Sequence, residues 1–182
     1  MPKPPEPGRA ALLDAGARVA EDRGLRGLSV NAVVEAAGMA KGTFYHHFPD
    51  RRSYVIALHR RYHDTLAELI GAHIADIPPG AARVRVGVAA YLDACLRTRG
   101  TKAFLAQSRT DTDLLDEVHD RNQQFARLIE PDLRAMGWTD PHAVALLLVA
   151  MVAETALAEL YGEGPRPDLR AAVIALVERA RE

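Results

Sequence analysis

Residues 36–51 read AAGMAKGTFYHHFPDR, and this stretch decides the fold of the chain. Gly38 ends one short helical segment, and a second segment, over residues 40–46, can begin almost at once. In the second segment Phe44 and Phe48 are four residues apart, so both side chains can anchor one face of the helix inward. The stretch therefore predicts two short helices joined by a tight turn.

Helical periodicity continues on both sides of this pair. A first helix is predicted over residues 9–23, where Gly24 supplies a stop, and Ser29 is a natural N-cap for the second helix. Pro49 and Asp50 mark a turn and a cap for a long fourth helix. Further helices are predicted over residues 81–98, 101–107, 112–135 and 141–161, and from Pro167 to about residue 180. No strand pattern competes, so we expect an all-α fold of about nine helices.

The domain organisation follows from the same pattern. Pro2, Pro4, Pro5 and Pro7 predict a disordered tail over residues 1–8. We expect a three-helix domain with a helix-turn-helix over residues 9–50. A helical bundle is expected over residues 51–182.

Composition supports a folded chain with an uneven charge. The 182 residues are 48% hydrophobic, enough for a packed core, which excludes a disordered tail or a bare linker. Residues 1–63 hold ten Lys and Arg against six Asp and Glu, whereas the remainder holds 13 against 18. A basic module followed by an acidic remainder is typical of a chain whose first part meets a polyanion.

The exposed side of the third helix carries polar side chains that can form hydrogen bonds with a partner. A helix-turn-helix can place its second helix in the major groove of DNA. Lys41 offers donors for a phosphate or a guanine edge, Thr43 a hydroxyl and a methyl group, and Tyr45 a phenol on a flat apolar ring. Gly42 lets the backbone approach DNA closely.

This stretch closely resembles the N-terminal region of the tetracycline-repressor family of bacterial regulators, over about the first 60 residues. The resemblance implies that Tyr45 and His47 contact phosphates and that residues 41–43 face the bases. It also implies that residues 9–50 form a DNA-binding domain and that residues 51–182 form a ligand-binding and dimerisation domain. In the family a small inducer bound to the second domain separates the two reading heads of the dimer. Met39 stands where a valine is more usual in the family. Arg51 and Arg52 stand where the family often has lysine and glutamate.

We therefore predict a cytoplasmic, sequence-specific regulator, a repressor that an inducer releases from operator DNA. The residues predicted to contact DNA are Ser29, Lys41, Gly42, Thr43, Tyr45, His46, His47, Arg51 and Arg52.

The helix predicted over residues 112–135 suggests a ligand cavity. Asn122 interrupts its otherwise apolar face, which suits a cavity with a polar handle, although an Asn bonded to a neighbouring helix end gives the same pattern. The implied inducer is a mainly apolar small molecule with one or two polar groups. The pocket candidates are Tyr91, Phe104, Asn122, Phe125 and Met151.

The last two helices predict a homodimer. The stretch Ala143–Ala153 is apolar all round, so one side must face the core and another a partner. A two-fold dimer would hold its recognition helices about 34 Å apart and select a palindromic operator. The interface candidates are Val144, Leu148, Met151, Leu169, Val173, Leu176 and Val177.

Other residues suggest alternatives that we do not favour. His59 and His63 are four apart, as two metal ligands can be, but no third ligand is placed by the sequence, and we expect no metal. Cys95 lies on an apolar stripe, and redox sensing by one thiol would need a second thiol from elsewhere. A metal- or redox-responsive regulator and a helical dimeric interaction module without DNA binding remain the alternatives.

Several further classes of protein are not indicated. One cysteine forms no intrachain disulfide, and no signal peptide is evident, so the cytoplasm is expected. The apolar stretch Ala143–Ala153 has eleven residues, fewer than the roughly 20 that span a bilayer. No nucleophile with a placed base and no phosphate-binding loop is present, so we expect neither an enzyme nor a cofactor.

Overall fold

The computed structural model describes residues 7–107 and 115–179, and these ranges are helical with no strand. The helices are α1 Pro7–Gly27, α2 Val30–Ala37, α3 Lys41–His47, α4 Arg51–Ile74, α5 Ala81–Arg97, α6 Arg99–Gln107, α7 Leu115–Ala135, α8 Pro141–Tyr161 and α9 Pro167–Arg179. The predicted all-α fold is confirmed, with nine helices in the described ranges. Residues 112–114 of the predicted seventh helix lie outside those ranges.

The predicted helix ends at α2 and α8 are confirmed. The Ser29 hydroxyl accepts the N–H of Ala32 at 3.1 Å, and Gly38 ends α2 with a φ of 64°, where a side chain would be strained. At the start of α8 the carboxylate of Asp140 accepts the N–H of Ala143 at 3.0 Å. These caps satisfy N–H groups that a helix leaves unpaired at its first turn.

The first helix is longer than predicted at both ends. It begins at Pro7, so the expected tail over residues 1–8 is wrong for Pro7 and Gly8, and residues 1–6 lie outside the described ranges. Proline is well suited to the first helical position, because it lacks only an N–H that would have no helical partner there. Gly24 does not stop the helix, since an internal glycine costs about 1 kcal/mol rather than forbidding the conformation.

The chain forms two compact units, each discontinuous in sequence. Among the described residues the first unit comprises 7–63 and 98–107, and the second comprises 64–97 and 115–179. The predicted boundary lay between residues 50 and 51. In the structure the first part of α4 and all of α6 also belong to the unit that contains the helix-turn-helix.

The core of the first unit is built on aromatic rings beneath α3. Phe44, Phe48 and Tyr54 are buried with ring centroids 5.0 to 5.5 Å apart. The Tyr54 hydroxyl donates a hydrogen bond to the carbonyl of Leu12 at 2.9 Å. These contacts join α1, α3 and α4 into one support.

Helix α6 completes the first unit by packing on α1. The carboxylate of Glu21 accepts the N–H groups of Gly100 at 3.0 Å and Thr101 at 2.8 Å. A Cβ atom at Gly100 would lie 2.4 Å from the carbonyl oxygen of Ala20, so only glycine allows this approach. An acidic side chain of α1 thus caps the first turn of α6.

Helix α8 is the centre of the second unit, where it packs against α5, α7 and α9. Its Glu159 is fully buried and accepts two hydrogen bonds from Arg170, at 2.6 and 2.8 Å, and one from the N–H of Arg166 at 2.9 Å. Arg170 also donates to Asp93 at 2.7 Å. This cluster ties together α5, α8 and α9.

Among the described residues, α8 is the single helix whose length and composition would allow it to cross a membrane. The expectation that this segment is too short is therefore wrong on length, because α8 continues beyond Glu154 to Tyr161 with further apolar residues around Glu159. Its packing on three helices and its buried Glu159 are features of a core helix in a helical domain.

Candidate nucleic-acid interface

Helix α3 has one buried side and one bare side. Phe44 and Phe48 are 0% and 1% exposed, whereas Tyr45 is 48% exposed. Lys41 and Gly42 are exposed beside it. The helix is therefore held from beneath by its phenylalanines and presents its polar residues outward.

The turn before α3 is closed by backbone hydrogen bonds. The N–H of Gly38 donates to the carbonyl of Glu35 at 3.1 Å, and that of Met39 donates to the carbonyl of Val34 at 2.9 Å. At the end of α3 the N–H of Phe48 donates to the carbonyl of Phe44 at 2.8 Å. The turn between α2 and α3 is thus closed by the backbone, next to the buried rings of Phe44 and Phe48.

Gly42 is not required by close packing within the protein. A Cβ atom added there would meet no atom within 4 Å. The residue lies in the first turn of α3, beside the exposed Lys41. The space beside Gly42 is therefore open.

The two adjacent histidines of α3 have different surroundings. His46 is exposed, whereas His47 is half-buried. A Cβ atom at Gly8 would lie 2.7 Å from Nε2 of His47, so that ring lies against the start of α1. The His47 ring is thereby oriented by the protein, while His46 faces outward.

The remaining predicted DNA-contacting residues border α3 in sequence. Thr43 is half-buried, and Ser29, Arg51 and Arg52 are exposed. The Ser29 hydroxyl oxygen is occupied in capping α2, but its hydrogen can still be donated to a phosphate.

The sequence did not indicate a supporting role for Arg9. Its guanidinium lies over the Phe48 ring, 4.9 Å from the centroid, and holds the start of α1 against the rings beneath α3. Arg9 was missed because the prediction placed it at the edge of a disordered tail.

The structure brings together two of the pocket candidates. The rings of Tyr91 on α5 and Phe125 on α7 meet edge to face, with centroids 6.2 Å apart. Asn122 and Met151 are half-buried, and the side chain of Phe104 lies outside the described part of the chain. The assignment of a ligand pocket to these residues stays a prediction.

The interface candidates divide between the core and the surface. Leu148, Val173 and Val177 are 0%, 6% and 2% exposed, so their place on a dimer face is corrected: they are core residues of the second unit. Val144, Met151 and Leu169 are half-buried. Leu176 on α9 is 61% exposed. Leu147 on α8 is 64% exposed, although it was not among the interface residues predicted from the sequence.

The histidine pair and the cysteine are buried. The rings of His59 and His63 lie 4.2 Å apart, and His63 Nδ1 is 2.9 Å from the carbonyl oxygen of His59. Among the described residues no group of three His, Cys, Asp or Glu side chains could hold a metal ion. Cys95 is 2% exposed, as expected for a small core side chain.

The geometry agrees with the relatives of the chain. Residues 12–58 match the family described as bacterial regulatory proteins, tetR family. The HTH-type transcriptional repressor KstR2 of Rhodococcus jostii is 40% identical over 58 residues, which are 32% of this chain and 28% of KstR2. The matched segment thus spans little more than a quarter of that relative.

Solved structures show the same fold along the whole chain. A transcriptional regulator from Rhodococcus sp. RHA1 has a TM-score of 0.76 at 23% identity, covering 93% of each chain. AibR, solved with isovaleryl coenzyme A and operator DNA, has a TM-score of 0.66 at 17% identity, covering 93% of this chain and 97% of AibR. The helix-turn-helix region of the chain is thus similar in sequence to the tetR family of bacterial regulatory proteins, and the remainder shares the fold of these solved regulators.

Proposed function

We propose that this protein is a transcriptional repressor that binds a palindromic operator as a homodimer and is released by a small molecule. The observation that best supports the proposal is that α3 has one buried side and one exposed side. Its buried Phe44 and Phe48 fix the helix, while Lys41, Gly42 and Tyr45 are left bare. A short helix presented in this way fits the major groove, where lysine and hydroxyl groups read base edges and phosphates.

The charge around α3 supports an anionic partner. Residues 1–63 carry a net charge of +4, from ten Lys and Arg against six Asp and Glu. Lys41, Arg51 and Arg52 are exposed within and just after the helix-turn-helix. Phosphate contacts by such residues make binding strongly dependent on salt.

The relatives support both the partner and the direction of regulation. KstR2 is named a repressor, and the AibR structure holds operator DNA together with a coenzyme A thioester. A DNA-binding role supports a location in the bacterial cytoplasm. The family of regulatory proteins supports a role without catalysis.

Exposed leucines on the last two helices support the homodimer. Leu147 on α8 and Leu176 on α9 are more than half exposed, although both belong to otherwise well packed helices. Covering such a face with its own copy is the usual solution for a two-fold dimer. The two copies would then present two α3 helices to two operator half-sites.

Helix α6 offers a route from ligand to DNA. It follows α5 directly in the chain, yet it packs on α1 in the unit that contains the helix-turn-helix. A ligand that shifts the end of α5 would therefore also move the start of α6 through the continuous backbone, and α6 supports α1. Tenfold release requires that the ligand prefer the DNA-free state by about 1.4 kcal/mol.

Fluorescence anisotropy tests the DNA-binding role. The dimer is titrated with the intergenic DNA upstream of its own gene and with a scrambled duplex, at two salt concentrations. We expect selective binding that weakens with salt, and loss of that binding in Lys41→Ala and Tyr45→Ala. Arg127→Ala removes an exposed cation from α7 and serves as the matched control, with unchanged affinity.

Selection from random duplexes covers the case in which the operator lies elsewhere. A palindromic consensus recovered by the native protein, and not by Tyr45→Ala, supports the proposal. Recovery of no consensus, with equal weak affinity for every duplex, would contradict it.

A further inference from the structure

Arg121 on α7 is a buried cation whose partners are incomplete. The residue is 9% exposed, and its Nη1 donates to the carboxylate of Asp64 at 2.6 Å. Its Nε is fully buried, and no described residue accepts a hydrogen bond from it. Buried N–H groups are nearly always satisfied in folded proteins, by protein, water or ligand.

The geometry of the guanidinium group shows what kind of partner would fit. Nε–H points along the same edge as Nη2, and this edge forms the parallel fork that binds a carboxylate or phosphate with two hydrogen bonds. The bond to Asp64 uses Nη1 and therefore does not occupy the Nε hydrogen. Asp64 itself is 61% exposed in its side chain, so it neutralises Arg121 from the solvent side only.

An aromatic pair lies about one helical turn after Arg121. Phe125 is four residues after Arg121, so both side chains emerge on the same side of the helix. The ring of Tyr91 meets Phe125 edge to face. An amphipathic molecule with an anionic head could thus reach Arg121 and leave its apolar part against these rings.

We propose that Arg121 is the anchor for the oxyanion of the small molecule that this regulator binds. This inference rests on the proposed ligand-responsive function and narrows it to amphipathic anions, whose head group is a carboxylate or a phosphate. Arg121 pairs through its Nε edge with the ligand and through Nη1 with Asp64. The apolar body contacts Tyr91 and Phe125.

Calorimetric titration of the full chain without DNA tests the proposal. The probes are phenylacetate, phenyl phosphate and the uncharged 2-phenylethanol, which share an aromatic body and differ in the head group. We expect at least one anion to bind about tenfold or more tightly than the alcohol. The stronger of the two anions identifies the head group as carboxylate or phosphate.

Three variants separate an anchor from a structural residue. Arg121→Met should abolish the preference for the anion while the alcohol binds as before, and Arg127→Met, an exposed arginine on the same helix, should leave the preference unchanged. Asp64→Asn keeps Arg121 but removes its competing charge, so the anion should bind more tightly, and this result does not depend on the stability of the Arg121 variant. Equal binding of acid and alcohol by the native protein, or weaker anion binding by Asp64→Asn, would overturn the proposal.

These titrations contain no DNA, so they succeed or fail independently of operator binding. A protein that selects an operator but shows no preference for anions would refute the role of Arg121 alone. A protein that prefers anions through Arg121 but selects no operator would refute the repressor and leave the anion site standing.

Discussion

The hydroxyl of Tyr54 occupies the space that a side chain at Gly16 would need: a Cβ atom there would lie 1.7 Å from the hydroxyl oxygen. The same hydroxyl donates to the Leu12 carbonyl, which places one polar atom at the contact between α1 and α4. Burial also raises the pKa of Tyr54 well above its ordinary value of 10.0, so the phenol remains a donor at any physiological pH.

Gly16→Ala should destabilise the first unit, which contains the helix-turn-helix. The added methyl group displaces Tyr54 from a close-packed site, and overpacking of this kind costs about 1–3 kcal/mol. Urea denaturation measures the loss. Gly71→Ala is the control, because a Cβ atom there meets nothing within 4 Å and the substitution favours the helix. If both variants unfolded at the native midpoint, the packing of Tyr54 over Gly16 would be refuted.

Glu21→Ala should loosen the start of α6. The variant leaves the N–H groups of Gly100 and Thr101 without their carboxylate acceptor, and loss of a helix cap costs about 1 kcal/mol. Hydrogen exchange at these two amides should become faster. Asp22→Ala, at the adjacent exposed position, serves as control and should leave exchange in α6 unchanged. Equal protection in both variants would show that Glu21 does not cap α6.

Glu159→Gln should weaken the second unit by about 3 kcal/mol. The amide cannot neutralise Arg170, and removing one charge of a buried pair leaves the other uncompensated. Thermal unfolding measures the effect. Arg166→Ala is the matched control, since it keeps the backbone N–H that Glu159 accepts and removes only an exposed pair with Asp168. A larger loss in Arg166→Ala than in Glu159→Gln would contradict this assignment.

The same carboxylate should make stability fall in acid. Burial alone would raise the pKa of Glu159, but the hydrogen bonds from Arg170 and Arg166 and the charge of Arg170 bring it below the ordinary value of 4.5. A group with a lowered pKa stabilises the folded state above its unfolded pKa and loses that contribution as pH falls through the folded pKa. The difference in unfolding free energy between native protein and Glu159→Gln should therefore be constant near neutral pH and shrink below about pH 4.5. A difference that grows in acid would show the opposite sign.

Leu176→Glu and Leu147→Glu should dissociate the proposed dimer. Each places a charge on an apolar surface that the partner would cover, while the core side chains Leu148 and Val177 are untouched. Sedimentation velocity at micromolar concentration should show a dimer for the native protein and monomers for both variants. Leu128→Glu, a similarly exposed leucine on α7, should remain dimeric. A native protein that sediments as a monomer would contradict this interface.

Local features of the sequence predicted more of the structure than features that join distant parts. Ser29, Gly38 and Asp140 were placed correctly because a cap acts on residues only a few positions away. The outward face of α8 was not predicted, because a helix that is apolar all round gives no local sign of which side meets the core, and Leu148 was assigned to the wrong side. The unsatisfied Nε of Arg121 and the pairing of its Nη1 with Asp64, 57 residues away in the chain, could not be predicted because both depend on the tertiary fold.

The packing of α6 on α1 means that the unit containing the helix-turn-helix is not a continuous segment that can be transferred on its own. A fragment that ends at His63 contains every predicted DNA-contacting residue, yet it separates Glu21 and Ala20 from Gly100, their neighbour 79 or 80 positions later. A chimera that joins these first helices to the remainder of another regulator must therefore include α6. Otherwise the other regulator must supply an equivalent helix whose second residue is as small as Gly100. Exchange of operator specificity between such regulators is therefore constrained by a glycine that lies far from the DNA-contacting residues in the chain.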